Sequence, residues 1–164
     1  LAEELALTLH GQLMVRHADD AAVIAALDSE QPAGVLMEAA AEAGERRLSE
    51  AVTKLVILTE HSDEVVALRS GAALGLIGQD EEGVIRALAR MTEGPNPERH
   101  LIAVHAMGDI GGPRAMRYLD TLAIGHPEEG IREAARAAAK RARQADRNAD
   151  TGSGSGHDAP PESP

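Results

Sequence analysis

Four glycines recur along this chain at a nearly fixed interval: Gly11, Gly44, Gly75 and Gly108 are separated by 33, 31 and 33 residues. Each sits at the end of an alanine-rich run of helical character: TLHG at 8–11, EAG at 42–44, ALGLIG at 73–78 and AMGDIG at 106–111. A period of this size marks a repeated helical unit, which limits the possible folds more than any bulk property of the chain. The surroundings repeat as well. A loop bearing Asp, Pro or Glu comes first (HSDE at 61–64, GPNPE at 94–98, HPEE at 126–129), then an alanine-rich helix, a tight glycine turn and a second helix. A fifth run, IREAARAAAK at 131–140, falls where the next unit is due but carries Lys140 where the glycine should be.

The second helices place apolar residues at the i, i+3, i+4, i+7 spacing of one buried face. They read Leu48, Ala51, Val52, Leu55 and Leu58; then Val84, Ile85, Leu88 and Met91; then Ala115, Met116, Leu119 and Leu122. The first helices offer small residues, among them Ala39, Ala40, Ala43, Ala73, Ala103 and Ala106, which let helix axes approach closely. The glycine closing each run is expected to supply the left-handed conformation that ends a helix. Nothing reads as a strand, because alternation never lasts four positions. The expected fold is all-α: an α-solenoid of about four and a half helix-turn-helix repeats over 1–148. Residues 149–164 (ADTGSGSGHDAPPESP) hold nothing apolar larger than alanine and are expected to be a disordered tail or linker.

ALGLIGQDEEGVIRAL at 73–88 and AMGDIGGPRAMRYL at 106–119 resemble the HEAT repeat, in the short form named after phycobilin lyases. The resemblance covers about 1–145 and is closest over 63–124. That family's valine-arginine pair stands here as Val66-Ala67 and Arg99-His100, and only Ile131-Arg132 keeps it. Its turn aspartate is Asp80, one place late, in one unit and Gly112 in the next, which weakens the expectation of an Asp–Arg ladder along the stack. The resemblance implies second helices on the concave side; together with the lack of catalytic motifs, the expected function is a non-catalytic scaffold or adaptor for protein–protein interaction.

On that side, the candidate partner-binding residues are Lys54, Arg86, Arg90, Arg114 and Arg117. Arg86 and Arg117 are equivalent, Arg90 lies one turn beyond the first, Arg114 lies one turn before the second, and Thr53 and Lys54 fall near the same line. As a functional feature this is a basic strip for an acidic or extended segment of another protein. As a structural one it is a solvated helix face paired with Glu82, Glu93 and Asp120, which is the commoner outcome for charged helix faces. The last helix carries Arg132, Arg136, Lys140, Arg143 and Arg147 at helical spacing opposite an alanine face. A polar cap on the end of the stack is the favoured reading there, with a phosphate backbone as the alternative.

The remaining composition removes whole classes of function. With no Cys, no Trp, no Phe and one Tyr, the chain has no thiolate site and no aromatic platform for bases. A net charge of -11 opposes a chain-wide phosphate-binding surface, so nucleic acid is disfavoured as a partner. No apolar run reaches the roughly 18 residues of a membrane span. Among seven histidines, His10, His17 and Asp20 are the best metal candidates, but their spacing is wrong for a helical pair, and no metal or cofactor is expected. His61, His126 and His157 fall in loops or tail, where solvated imidazoles are ordinary. Nucleophile-elbow, P-loop and dinucleotide motifs are missing, and GSGSG at 152–156 lies in the tail. No His-Glu dipeptide is present of the kind repeated in the iron-dependent hydroxylase built from HEAT units. An accessory subunit of the bilin-lyase type is the other alternative function. The cytoplasm is slightly favoured over the periplasm. The chain opens at Leu1 within an apolar-periodic stretch, which is uninformative about a leader or upstream units.

Overall fold

The computed structural model describes residues 2–152, with side chains described over 9–148. Every regular element among them is helical: α1 (Ala2–Arg16), α2 (Asp20–Ala26), α3 (Ala33–Glu45), α4 (Val52–Leu58, entered through a 3-10 turn at Ser49–Ala51), α5 (Glu64–Ile77), α6 (Glu82–Met91), α7 (Pro97–Ile110), α8 (Pro113–Gly125) and α9 (Glu129–Gly152). The last helix thus runs past the expected boundary at 148, and the rest of the expected tail, 153–164, lies outside the described residues.

The loops fix where these helices begin. Asp63 accepts hydrogen bonds on Oδ1 from the N–H groups of Val65 and Val66, at 2.9 and 3.3 Å. Asn96 accepts from Glu98 N–H at 2.9 Å, with Pro97 in the first helical position, where its missing N–H costs nothing. The helix ends expected at glycine are found at Gly78 and Gly111, with φ of 79° and 68°. In α3 the same job falls to Arg47, whose φ is 54°. There the N–H of Leu48 donates to Ala43 O and that of Arg47 to Gly44 O, a paired closure usually built on glycine. Next to it Arg46 donates to Ala18 O at 2.8 Å, to Arg16 O at 3.1 Å and to the carboxylates of Glu42 and Asp20. That one side chain locks the α1–α2 turn against α3.

The glycines that set the period do not end helices; they lie inside them. A Cβ placed on Gly44 would stand 2.9 Å from Ala73 Cα; on Gly75, 2.7 Å from Ala106 Cα; on Gly108, 2.9 Å from Ala138 Cβ. Each is a notch that receives an alanine of the next first helix. A helical glycine costs about 1 kcal/mol relative to alanine, and here the backbone contact it permits outweighs that. Accordingly α1, α3, α5, α7 and α9 pack each on the next, while α2, α4, α6 and α8 lie beside them, each against the first helix that follows it. The Lys140 exception has the same origin. Ala138 fills the Gly108 notch, Lys140 is exposed, and among the described residues no helix packs on α9 at that point.

Between the layers lies one apolar cluster. Leu55, Leu88 and Leu119, the central leucines of three second helices, are fully enclosed, as are Leu36, Leu74 and Met107 of the first helices. Of the second-helix positions named from the sequence, only Met116 is merely half-buried.

At the start of α9, Glu129 pairs with Arg132 and, at 3.4 Å, with Arg136. The hydrogen bond from Arg132 is the main cause that holds its carboxyl below the ordinary value, the two nearby guanidinium charges adding to it. A depressed carboxyl stabilises the fold while ionised and loses that contribution as pH falls through its folded value. A proton-detected carboxyl titration should therefore place Glu129 below the usual midpoint of about 4.3 for glutamate, with Arg132→Gln moving it upward. A midpoint at the usual value in the unmodified chain would contradict the pairing.

Candidate functional site: a groove between two second helices

An open groove of about 440 Å³ runs between α6 and α8. Its α6 wall is Glu82, Ile85, Arg86 and Ala89, and its α8 wall is Arg114, Arg117, Tyr118 and Thr121. Both sets follow the i, i+3, i+4, i+7 rule for one helix stripe, which is why two successive second helices make a lined channel rather than scattered contacts. Three of the five cations named from the sequence, Arg86, Arg114 and Arg117, therefore converge here.

They are not equivalent. Arg86 pairs with Glu82 one turn earlier on the same exposed face. Arg114 is tied to Asp80: its backbone N–H donates to Oδ2 at 3.0 Å and its Nη1 to the Asp80 carbonyl at 3.1 Å. Arg117 is exposed, and among the described residues its guanidinium has neither ion pair nor hydrogen bond. Its backbone carbonyl accepts from Thr121 Oγ1 at 3.0 Å. The Tyr118 ring is half-buried, and its hydroxyl is held at 3.1 Å from Thr92 Oγ1 and 3.5 Å from Ala89 O. This fixes the ring as a rigid part of the wall.

Lys54 and Arg90 lie elsewhere. Lys54 Nζ donates to Ile24 O at 2.9 Å, closing the end of α2, beside a smaller hollow lined by Leu27, Asp28 and Ile57. Arg90 pairs with Glu60 across the α4–α6 seam, next to Thr59 and Arg99. Both bind one unit to its neighbour.

Asp80 is the residue the sequence reading undervalued. Besides holding Arg114, its Oδ1 accepts from Ala115 N–H at 2.9 Å, so it caps α8 from the preceding unit. Gly112 is required by that cap, because any Cβ there would collide with the Asp80 side chain. Although the departures from the family pattern weaken a ladder, one Asp–Arg rung is present here, with Arg114 Nη1 3.9 Å from Asp80 Oδ2. The available signal was the doubled glycine at 111–112, one residue more than a helix end needs.

The histidines also differ from expectation at one point. His126 is buried, not solvated: its Nδ1 accepts from Glu128 N–H at 3.1 Å and its ring meets that of His100 edge-on, centroids 5.0 Å apart. Among the described residues, neither ring nitrogen of buried His100 has a hydrogen-bond partner. His10 and His17 are exposed, and no group of three metal-ligating side chains comes together among the described residues.

The cations of α9 are largely engaged. Arg132 donates to His126 O at 2.5 Å and Pro127 O at 2.9 Å, and Arg143 holds both oxygens of Asp120 at 2.8 and 2.7 Å. No helix among the described residues is long and apolar enough to cross a membrane. Comparison with known proteins found no matching family model, no matching curated relative and no matching solved structure.

Proposed function

We propose that this chain is a short HEAT-like α-solenoid serving as a non-catalytic scaffold, and that its second helices contact a partner protein. The observation that carries the reading is where the unsatisfied surface lies. Among the described residues, the α6–α8 groove and the two most exposed large aliphatic side chains, Ile57 at 63% and Ile124 at 85%, belong to second helices, although α1 also exposes Leu13 and Met14. Single exposed aliphatics are ordinary; it is the lined groove, together with exposed aliphatics on the same layer, that makes the second helices the candidate contact surface. Stacked units present such a layer as a continuous face, and the notches at Gly44, Gly75 and Gly108 hold the units in register to do so.

Site-specific photo-crosslinking tests this. Benzoylphenylalanine at Ile57 or Ile124 should give protein adducts in extract from the source cells. The same probe at Leu76 or Leu101, exposed residues of first helices, should give none. Adducts confined to Leu76 and Leu101 would overturn the assignment.

A further inference from the structure

We infer that the α6–α8 groove takes a short acidic segment of another protein, with a carboxylate on Arg117 and a neighbouring apolar side chain against Ile85, Ala89 and the Tyr118 ring. This rests on the reading that second helices form the binding face.

Charge on and around the groove selects the ligand. The two carboxylates that touch the groove arginines are already committed, Glu82 to Arg86 and Asp80 to Arg114 and the start of α8. Arg117 has Arg114 one turn before it and Arg86 across the channel; Asp120, one turn after it, is held by Arg143, and among the described residues Arg117 has no anion of its own. A guanidinium so placed is matched by an incoming carboxylate, which it can hold through two parallel N–H donors.

The rest of the chain sharpens the choice. At net charge -11, much of the surface repels an acidic peptide; the other cationic region is α9, where Arg132, Arg136 and Arg143 are already paired with carboxylates. The same repulsion opposes a nucleic acid, whose many phosphates would spread beyond the groove onto acidic surface. The apolar part of the wall supplies the second half of the match. Ile85 and Ala89 lie one turn apart on α6, opposite a tyrosine ring whose hydroxyl is already satisfied, so this part of the channel offers area rather than free hydrogen-bonding groups. A segment of alternating acidic and apolar character uses both halves, while a purely acidic one uses only the first.

Fluorescence anisotropy with defined probes decides the matter. The first probe is a fluorescein-labelled peptide of about a dozen residues, with glutamates flanking one leucine in a Gly/Ser background. Its comparators carry Gln for every Glu, or Ser for the Leu, and a labelled DNA duplex completes the set. The unmodified chain should bind the first peptide best. Arg117→Glu should weaken it at least tenfold, whereas Lys140→Glu, the same charge change on an exposed residue outside the groove, should alter it less than twofold. Arg117 is exposed, so its variant should keep the parent's thermal transition, which circular dichroism verifies. Equal weakening by Lys140→Glu, equal binding of the Gln peptide, stronger binding of the duplex, or no binding at millimolar peptide would each overturn the inference. Crosslinks at Ile57 and Ile124 together with a non-binding peptide would sink the acidic segment alone and leave the scaffold reading standing.

Discussion

Replacing Gly75 by valine should lower stability by about 3 kcal/mol, seen as a fall in Tm of roughly 10 °C for a chain of this size. The added Cβ would stand 2.7 Å from the Ala106 Cα and 2.9 Å from its Cβ, so backbone as well as side chain must move and α5 and α7 must part. Gly75→Ala makes the sharper comparison. Helix propensity alone favours alanine by about 1 kcal/mol, so a stabilised variant would mean the notch is slack. The contact distances require the opposite sign. Gly83 is the control: it lies within α6 with nothing near its absent Cβ, and Gly83→Ala should gain up to about 1 kcal/mol.

Leu88→Ala should cost about 2–5 kcal/mol, the range for a fully enclosed leucine whose removal leaves a cavity. Leu88 has no exposed surface and sits in the cluster between the layers, among Leu55, Leu119 and the first-helix leucines. Because this helix lies in the middle of the array, touching both α4 and α8, its loss weakens the coupling between the two halves. Denaturant unfolding of the variant should therefore broaden as well as shift to lower concentration. Ile124→Ala, at an 85% exposed position, should change stability by less than about 0.5 kcal/mol. A similar cost at both positions would mean that the apolar faces are assigned wrongly.

The helices and their buried faces were legible in the sequence because both depend on local spacing. Val84, Ile85, Leu88 and Met91 face inward as their i, i+3, i+4, i+7 pattern requires, and Asp63 and Asn96 begin helices by bonding to N–H groups within three residues of themselves. The period was legible too, but its cause was not. Gly44, Gly75 and Gly108 read as helix ends, while the residues that explain them, Ala73, Ala106 and Ala138, lie about thirty positions away on another helix. Spacing along one helix says nothing of what fills a notch from outside.

The candidate site divides along the same line. Arg86 and Arg117 were placed on one face by equivalence between units, and they meet in one groove. Lys54 met the same criterion, yet its ammonium closes the carbonyl end of α2. Which cation is committed and which is free depends on partners such as Ile24, Glu60 and Asp80, all in neighbouring units. Tyr118 entered only as the single aromatic of the chain, and its place in the groove wall follows from Thr92 and Ala89 of the unit before.

The central claim is that α3, α5 and α7 each nest an alanine of the next first helix against a glycine, which sets the register from α3 to α9. Nuclear Overhauser effects between glycine α-protons and alanine methyl groups measure this directly. Cross-peaks should join Gly44 to Ala73, Gly75 to Ala106 and Gly108 to Ala138. Their absence, or methyl contacts from these glycines to other alanines, would contradict the account.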